Sequence, residues 1–160
     1  MQQHIVCRIL LPAVFATVAG TGAAQAQFPQ YKCTPVGGVL FTNVNVVAGV
    51  TNMGPVYGDL KGSVAATIIG QSADGFTVQH YWVTDSGDTI FFKPALLKPI
   101  ALGDPAGTVV AVLYQNYKSD ILGGTGKYKD ANGSLSYLGA ADFKENHLVL
   151  RYKGEVCVKP

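Results

Sequence analysis

Charge is scarce in this chain. Of 160 residues only 14% are Asp, Glu, Lys or Arg, with 12 basic residues against 10 acidic ones. Arginine occurs only as Arg8 and Arg151, and no lysine cluster or arginine-rich helix exists. Nucleic-acid binding needs a concentrated basic face, so the composition argues against it. Helical periodicity is almost missing too, and Gly and Pro recur throughout, which argues against a helical bundle. After residue 26 no apolar run is long enough to span a membrane as a helix. His80 and His147 lack both the i, i+4 spacing and the cysteine partners of a zinc site, so no metal is expected. The nucleotide-binding loops fail in the same way. Gly124-Thr125-Gly126 has Lys129 where a dinucleotide loop needs glycine, Gly126-Lys127 lacks the Ser or Thr of a P-loop, and there is no G-x-S-x-G elbow. No cofactor is therefore expected.

The first 26 residues read as an export signal. Arg8 lies ahead of the apolar run 9–19, and Ala24-Gln25-Ala26 is a small-x-small cleavage site. Cleavage after Ala26 leaves 160 − 26 = 134 residues from Gln27, a single domain over 27–160 with a net charge of 11 − 10 = +1. The expected location is secreted or periplasmic. Two cysteines remain, Cys33 ahead of the first expected strand and Cys157 in the last, and an even count in an exported chain predicts a Cys33–Cys157 disulfide.

The rest reads as strand. Leu60, Gly62, Val64, Ala66 and Ile68 alternate with more polar positions, as do Phe76, Val78, His80 and Trp82, and again Leu148, Leu150 and Tyr152. Further strands are expected over 39–47, 89–92, 108–117 and 134–138. Turn signals separate them at Ala73-Asp74-Gly75, Asp85-Ser86-Gly87-Asp88, Gly103-Asp104-Pro105 and Asn132-Gly133. Seven or eight strands with short connections make an all-β domain. A barrel is favoured over a sandwich because closure leaves no exposed edges. The segment 127–131 breaks the pattern: Tyr128 and Ala131 are three apart, as on one helical turn, and this piece is expected to plug one end.

His80 is the leading candidate for a site. It shares a strand face with Phe76, Val78 and Trp82, so it points inward, where an imidazole can orient a ligand or move a proton. The plainer alternative is a core histidine bonded to backbone. Trp82, Phe76, Tyr114, Asn116 and Tyr152 are further ligand-binding candidates, each also readable as core, and both faces of 108–117 are apolar, which leaves the direction of Tyr114 open. Asp85 and Asp88 bracket a tight turn and read as turn residues before they read as a carboxylate pair.

The run Gly123-Gly124-Thr125-Gly126-Lys127-Tyr128, followed by Ala131 and Gly133, resembles the G-G-T-G-[KR]-[FY]-x-x-A-x-G pattern of allene oxide cyclase-like and dirigent-like barrels. Tyr81–Phe91, with its GDTIF second strand, is similar to a hairpin of the bacterial members. The resemblance extends over Asp59–Cys157 and implies an eight-stranded antiparallel barrel with an apolar cavity. It also implies trimers through the outer wall, which apolar outward positions such as Ile69 would permit. Family enzymes restrain a flexible intermediate in that cavity without a cofactor. Their catalytic residues do not carry over. Glu145 and Glu155, the glutamates that remain, lie outside the motif, and Arg151 has the strand parity of an outer face. The catalytic residues are thus unknown. The leading functional reading is an exported barrel that binds a small hydrophobic molecule inside. The alternatives are a cofactor-free cyclase or isomerase, and a structural or interaction domain with a filled interior.

Overall fold

The computed structural model describes residues 30–47 and 49–160, so the export signal expected over 1–26 lies outside the described residues. Ten strands follow in order: β1 (Lys32–Val47), β2 (Val50–Gly58), β3 (Gly62–Ser72), β4 (Gly75–Thr84), β5 (Thr89–Phe92), β6 (Ala95–Leu97), β7 (Ile100–Gly103), β8 (Val109–Gly124), β9 (Asn132–Asp142) and β10 (His147–Val158). Each pairs antiparallel with its neighbours. The sheet runs β3-β2-β1-β10-β9-β8-β5-β4, and pairing of β3 with β4 closes it. Strands β5, β6 and β7 are pieces of one stave, interrupted by Lys93-Pro94 and Lys98-Pro99, where proline has no N–H for the ladder. The molecule is therefore an eight-staved antiparallel barrel, the fold expected from the strand pattern.

Closure follows from the alternation. Val78, His80 and Trp82 on β4, and Leu148, Leu150 and Tyr152 on β10, turn inward and are buried, while Tyr81, Val83, Val149 and Arg151 face out. The turns use their aspartates locally. The Asp104 carboxylate accepts from the N–H groups of Ala106 and Thr108, and that of Asp142 from Lys144 and Glu145.

The barrel interior is divided along its axis. Toward the end that carries the 59–61, 85–88 and 125–131 connections it is packed solid with Trp82, Ile90, Phe92, Leu135, Tyr128 and Tyr152. The Trp82 indole N–H donates to the Leu60 carbonyl at 2.9 Å, and the Leu60 N–H donates to the Tyr152 hydroxyl at 3.0 Å. The two rings meet edge to face at 5.3 Å. The expected plug is present as a 3-10 turn over Gly126–Tyr128, with Tyr128 and Ala131 buried. Its glycines are sterically required: a Cβ on Gly124 would overlap the Thr89 carbonyl, and one on Gly126, at φ +50°, the Asp88 carboxylate.

Several expectations on strand limits are corrected. β2 was not anticipated, because Gly54 and Pro55 interrupt its pattern. Asn132-Gly133 does not form a hairpin turn; it begins β9, with Gly133 opposite Val156 of β10. Cys33 lies within β1 and not ahead of it, directly opposite Cys157 on β10 with Cα atoms 3.9 Å apart, and the two form a disulfide. That bond closes 124 residues of chain. In the chain-entropy description such a loop is worth about 4–5 kcal/mol. Cys33→Ser with Cys157→Ser should therefore lower the thermal midpoint by roughly 10 °C or more. Non-reducing peptide mapping of the wild-type protein should recover the two cysteines as one linked pair.

Candidate functional site

The other half of the barrel is hollow. A cavity of about 390 Å³ opens toward the end where β1 meets β2, β3 meets β4, β7 meets β8 and β9 meets β10. This falls within the usual range of small-molecule pockets. Its wall is chiefly aliphatic, with Leu40, Val64, Ala66, Val78, Val112 and Leu150 among the contributors, and Phe76 and Phe143 add aromatic surface. Polar side chains occur as two groups. Asn45, Thr51 and Asn52 come from the β1–β2 hairpin, and His80, Tyr114, Tyr117 and Tyr137 from the barrel staves. Among the described residues no Asp, Glu, Lys or Arg lines the cavity.

The staves place these groups by register. His80 on β4 meets Tyr117 on β8, with imidazole Nε2 and phenol oxygen 2.8 Å apart in a buried hydrogen bond. Tyr137 on β9 stacks on the imidazole, ring centroids 5.6 Å apart and planes 15° apart, and its hydroxyl bonds Ser119 Oγ at 2.9 Å. A bulge on β8 explains how Tyr114 and Tyr117 both reach the interior. The pairs Tyr114–Gly139 and Tyr117–Tyr137 leave two residues of β8, Gln115 and Asn116, opposite Leu138 alone, and Asn116 takes φ +52°. The extra residue switches the inward parity from even to odd numbers along the strand.

Burial sets the electrostatics. Desolvation pushes the His80 imidazole down to about 4, so at neutral pH it is uncharged. Burial raises the Tyr114 phenol, and it raises Tyr117 further, with neighbouring Tyr137 and Tyr114 adding to the effect. Tyr137 is likewise raised by burial, against a smaller opposing contribution from its Ser119 hydrogen bond. Every titratable group in the wall is thus neutral near pH 7. A wall of this kind orients by hydrogen bonding. As a base, His80 is much weaker than an ordinary histidine.

Of the six residues expected from sequence, His80, Phe76 and Tyr114 line the cavity together. Trp82 and Tyr152 face inward as expected but belong to the packed half, where they hold Leu60; neither forms the cavity wall. Asn116 is on the outside, in a depression with Lys118, Ser136, Arg151 and Lys153, so the outer placement expected of Arg151 is what the structure has. Tyr117 and Tyr137 were missed. For Tyr117 the signal was the β8 bulge, which no residue type at 115–116 announces. Tyr137 lies on β9, which pairs with β10 without a bulge, and its alternation with buried Leu135 was the signal that could have found it. Asp85 forms an ion pair with Lys61 at 3.0 Å, and Asp88 accepts from the Ser86 hydroxyl, so these two aspartates serve the turn.

The fold and this site define a closed β-barrel with one hollow, uncharged, apolar half. Among solved structures the chain is similar to two pterocarpan synthase dirigent proteins. GePTS1 is 19% identical, with 91% of this chain and 100% of that chain covered and a TM-score of 0.37. PsPTS1 is 17% identical, with 81% and 97% covered and a TM-score of 0.35. No protein-family model matches the chain, and no curated protein does.

The depressed His80 has a thermodynamic consequence. The unfolded chain takes up a proton near the ordinary histidine value of 6.5 and the folded chain only near 4, so unfolding binds protons between those values. Stability is therefore full above pH 6.5 and falls as pH drops toward 4, by roughly 3 kcal/mol for this group. Denaturant melts of wild type and His80→Gln at pH 7 and pH 4.5 test it, with the variant expected to show a flatter pH dependence.

Proposed function

We propose that this protein is an exported barrel that holds a small hydrophobic molecule in its hollow half. The cavity itself carries the reading. Protein interiors are packed with few voids larger than a water molecule, and unfilled apolar volume forgoes dispersion contacts. Here one half of the same barrel is filled by buried side chains while the other is left open and lined almost wholly by apolar side chains. A purely structural barrel gains nothing from that asymmetry. Val112, in the cavity wall, offers a direct test. Val112→Phe should fill part of the space and weaken binding of small apolar probes about tenfold or more while the strand circular dichroism is kept. Unchanged binding would place the ligand elsewhere.

A second reading is favoured by the His80–Tyr117 hydrogen bond in the cavity wall. It is a cofactor-free cyclase or isomerase that restrains a flexible intermediate and stabilises partial charge through neutral donors. Native mass spectrometry of protein purified from its own host separates the two. A retained apolar molecule that returns unchanged after incubation supports binding, and a converted one supports catalysis. The same spectra report the assembly state. A row of outward residues, Met53, Ala65, Tyr81 and Phe91, runs across β2 to β5 with Tyr81 53% and Phe91 52% exposed, an apolar strip suited to contact between copies of the chain.

Export is supported by the pattern of the first 26 residues and by the disulfide, since such bonds persist in oxidising compartments. Among the described residues no helix is long and apolar enough to cross a membrane. N-terminal sequencing of the secreted protein should begin at Gln27, and retention of residues 1–26 would refute cleavage.

A further inference from the structure

Among the polar groups that β4, β8 and β9 bring to the cavity wall, one stands apart. The Asn45 and Asn52 side chains, which make no hydrogen bond with a described residue, belong to the β1–β2 hairpin at the open end. The Tyr117 hydroxyl is bonded to His80, and the Tyr137 hydroxyl to Ser119. Thr51 Oγ1 accepts the Ile68 N–H. The His80 Nδ1 lacks a partner but is sealed from the cavity, with under 1 Å² of accessible surface. Tyr114 is different. It lines the cavity and is only partly buried, and its hydroxyl makes no hydrogen bond with any described residue. The β8 bulge turns this phenol inward, and Gly139, its partner across the strand pair, has no side chain to cover it. A phenol O–H is a good donor, and a donor left idle in an apolar cavity is worth a hydrogen bond to whatever occupies that cavity.

The wall also excludes charge. A carboxylate or ammonium drawn into this space would meet no counter-charge among the described residues, and burial of an unpaired ion is costly. We propose that the cavity selects a compact, uncharged molecule bearing one acceptor oxygen, such as a ketone or ether, which takes the Tyr114 O–H and is otherwise held by apolar contact. The proposal rests on the ligand-binding reading and specifies its chemistry. Tyr114 is the positioning group for that oxygen, and the β8 bulge is the device that delivers it.

Three probes of similar shape test this on the purified protein by calorimetric titration at pH 7: 4-isopropylacetophenone, 4-isopropylbenzoate and p-cymene. The ketone should bind about tenfold or more tightly than the carboxylate, as expected when an unpaired charge must be buried. Tyr114→Phe keeps the ring and removes only the unbonded oxygen. It should weaken the ketone about fivefold, the typical worth of one neutral hydrogen bond, and leave p-cymene unchanged. The variant should fold with an equal or higher thermal midpoint, because the oxygen it loses has no partner in the protein. Equal affinity for carboxylate and ketone would overturn the proposal, as would a Tyr114→Phe variant that binds the ketone like wild type. Either result leaves ligand binding intact. Failure of all three probes to bind would remove the ligand-binding reading, and this one with it.

Discussion

The two hydrogen bonds on Leu60 organise the barrel. Trp82 and Tyr152 come from staves that are not neighbours, β4 and β10, and their polar edges converge on the carbonyl and the N–H of one residue in the β2–β3 turn. A turn that folds over the end of a barrel brings backbone groups into an apolar interior, where each must find a partner. Here both partners are large aromatic rings, so the groups that satisfy the turn also fill the space beneath it. Phe92 bridges from Trp82 toward His80 through a tilted and an edge-on contact, at 6.0 and 5.9 Å between centroids, and beyond that point the packed aromatic layer gives way to the hollow half. The floor of the cavity is thus set by how one turn is capped.

Neutrality is the site's defining chemical property, and it too comes from packing. The imidazole lies against Tyr137, Phe92 and Tyr117, largely buried and with no carboxylate among the described residues bonded to it. Its hydrogen bond to a phenol serves the uncharged ring. Chemistry that needs a strong base or a stored proton has little purchase on such a wall. Chemistry that needs shape, dryness and a well-placed donor is better served by it.

Strand direction was legible in the sequence and height along the barrel was not. Alternation in 76–82 and 148–152 identified which side chains point inward, because period two follows from the pleat. It could not separate His80 from Trp82, two residues and one layer apart, because the layer depends on register between strands distant in the chain. Tyr152 was misplaced for the same reason. β2 and the broken stave were hidden by proline and glycine, which erase the pattern without preventing pairing at short pieces. Across β8 the rule itself changes parity at Asn116, and the two phenols on either side were obscured by a single extra residue. The glycine run at 123–126, in contrast, was readable, because steric demand at a tight plug leaves little choice of residue.

Seven of the eight seams between neighbouring staves are crossed by the chain itself as it turns from one strand to the next. The eighth, between β1 and β10, has no such connection, and there Cys33 and Cys157 face each other. The disulfide thus stands in for the missing loop and makes the covalent path as closed as the sheet. Pulled from its ends, such a molecule transmits load through one sulfur–sulfur bond at a single seam, and the staves that enclose the cavity stay outside the line of force. Mechanical toughness at the termini and a soft, open mouth at the far end can therefore coexist in one small barrel.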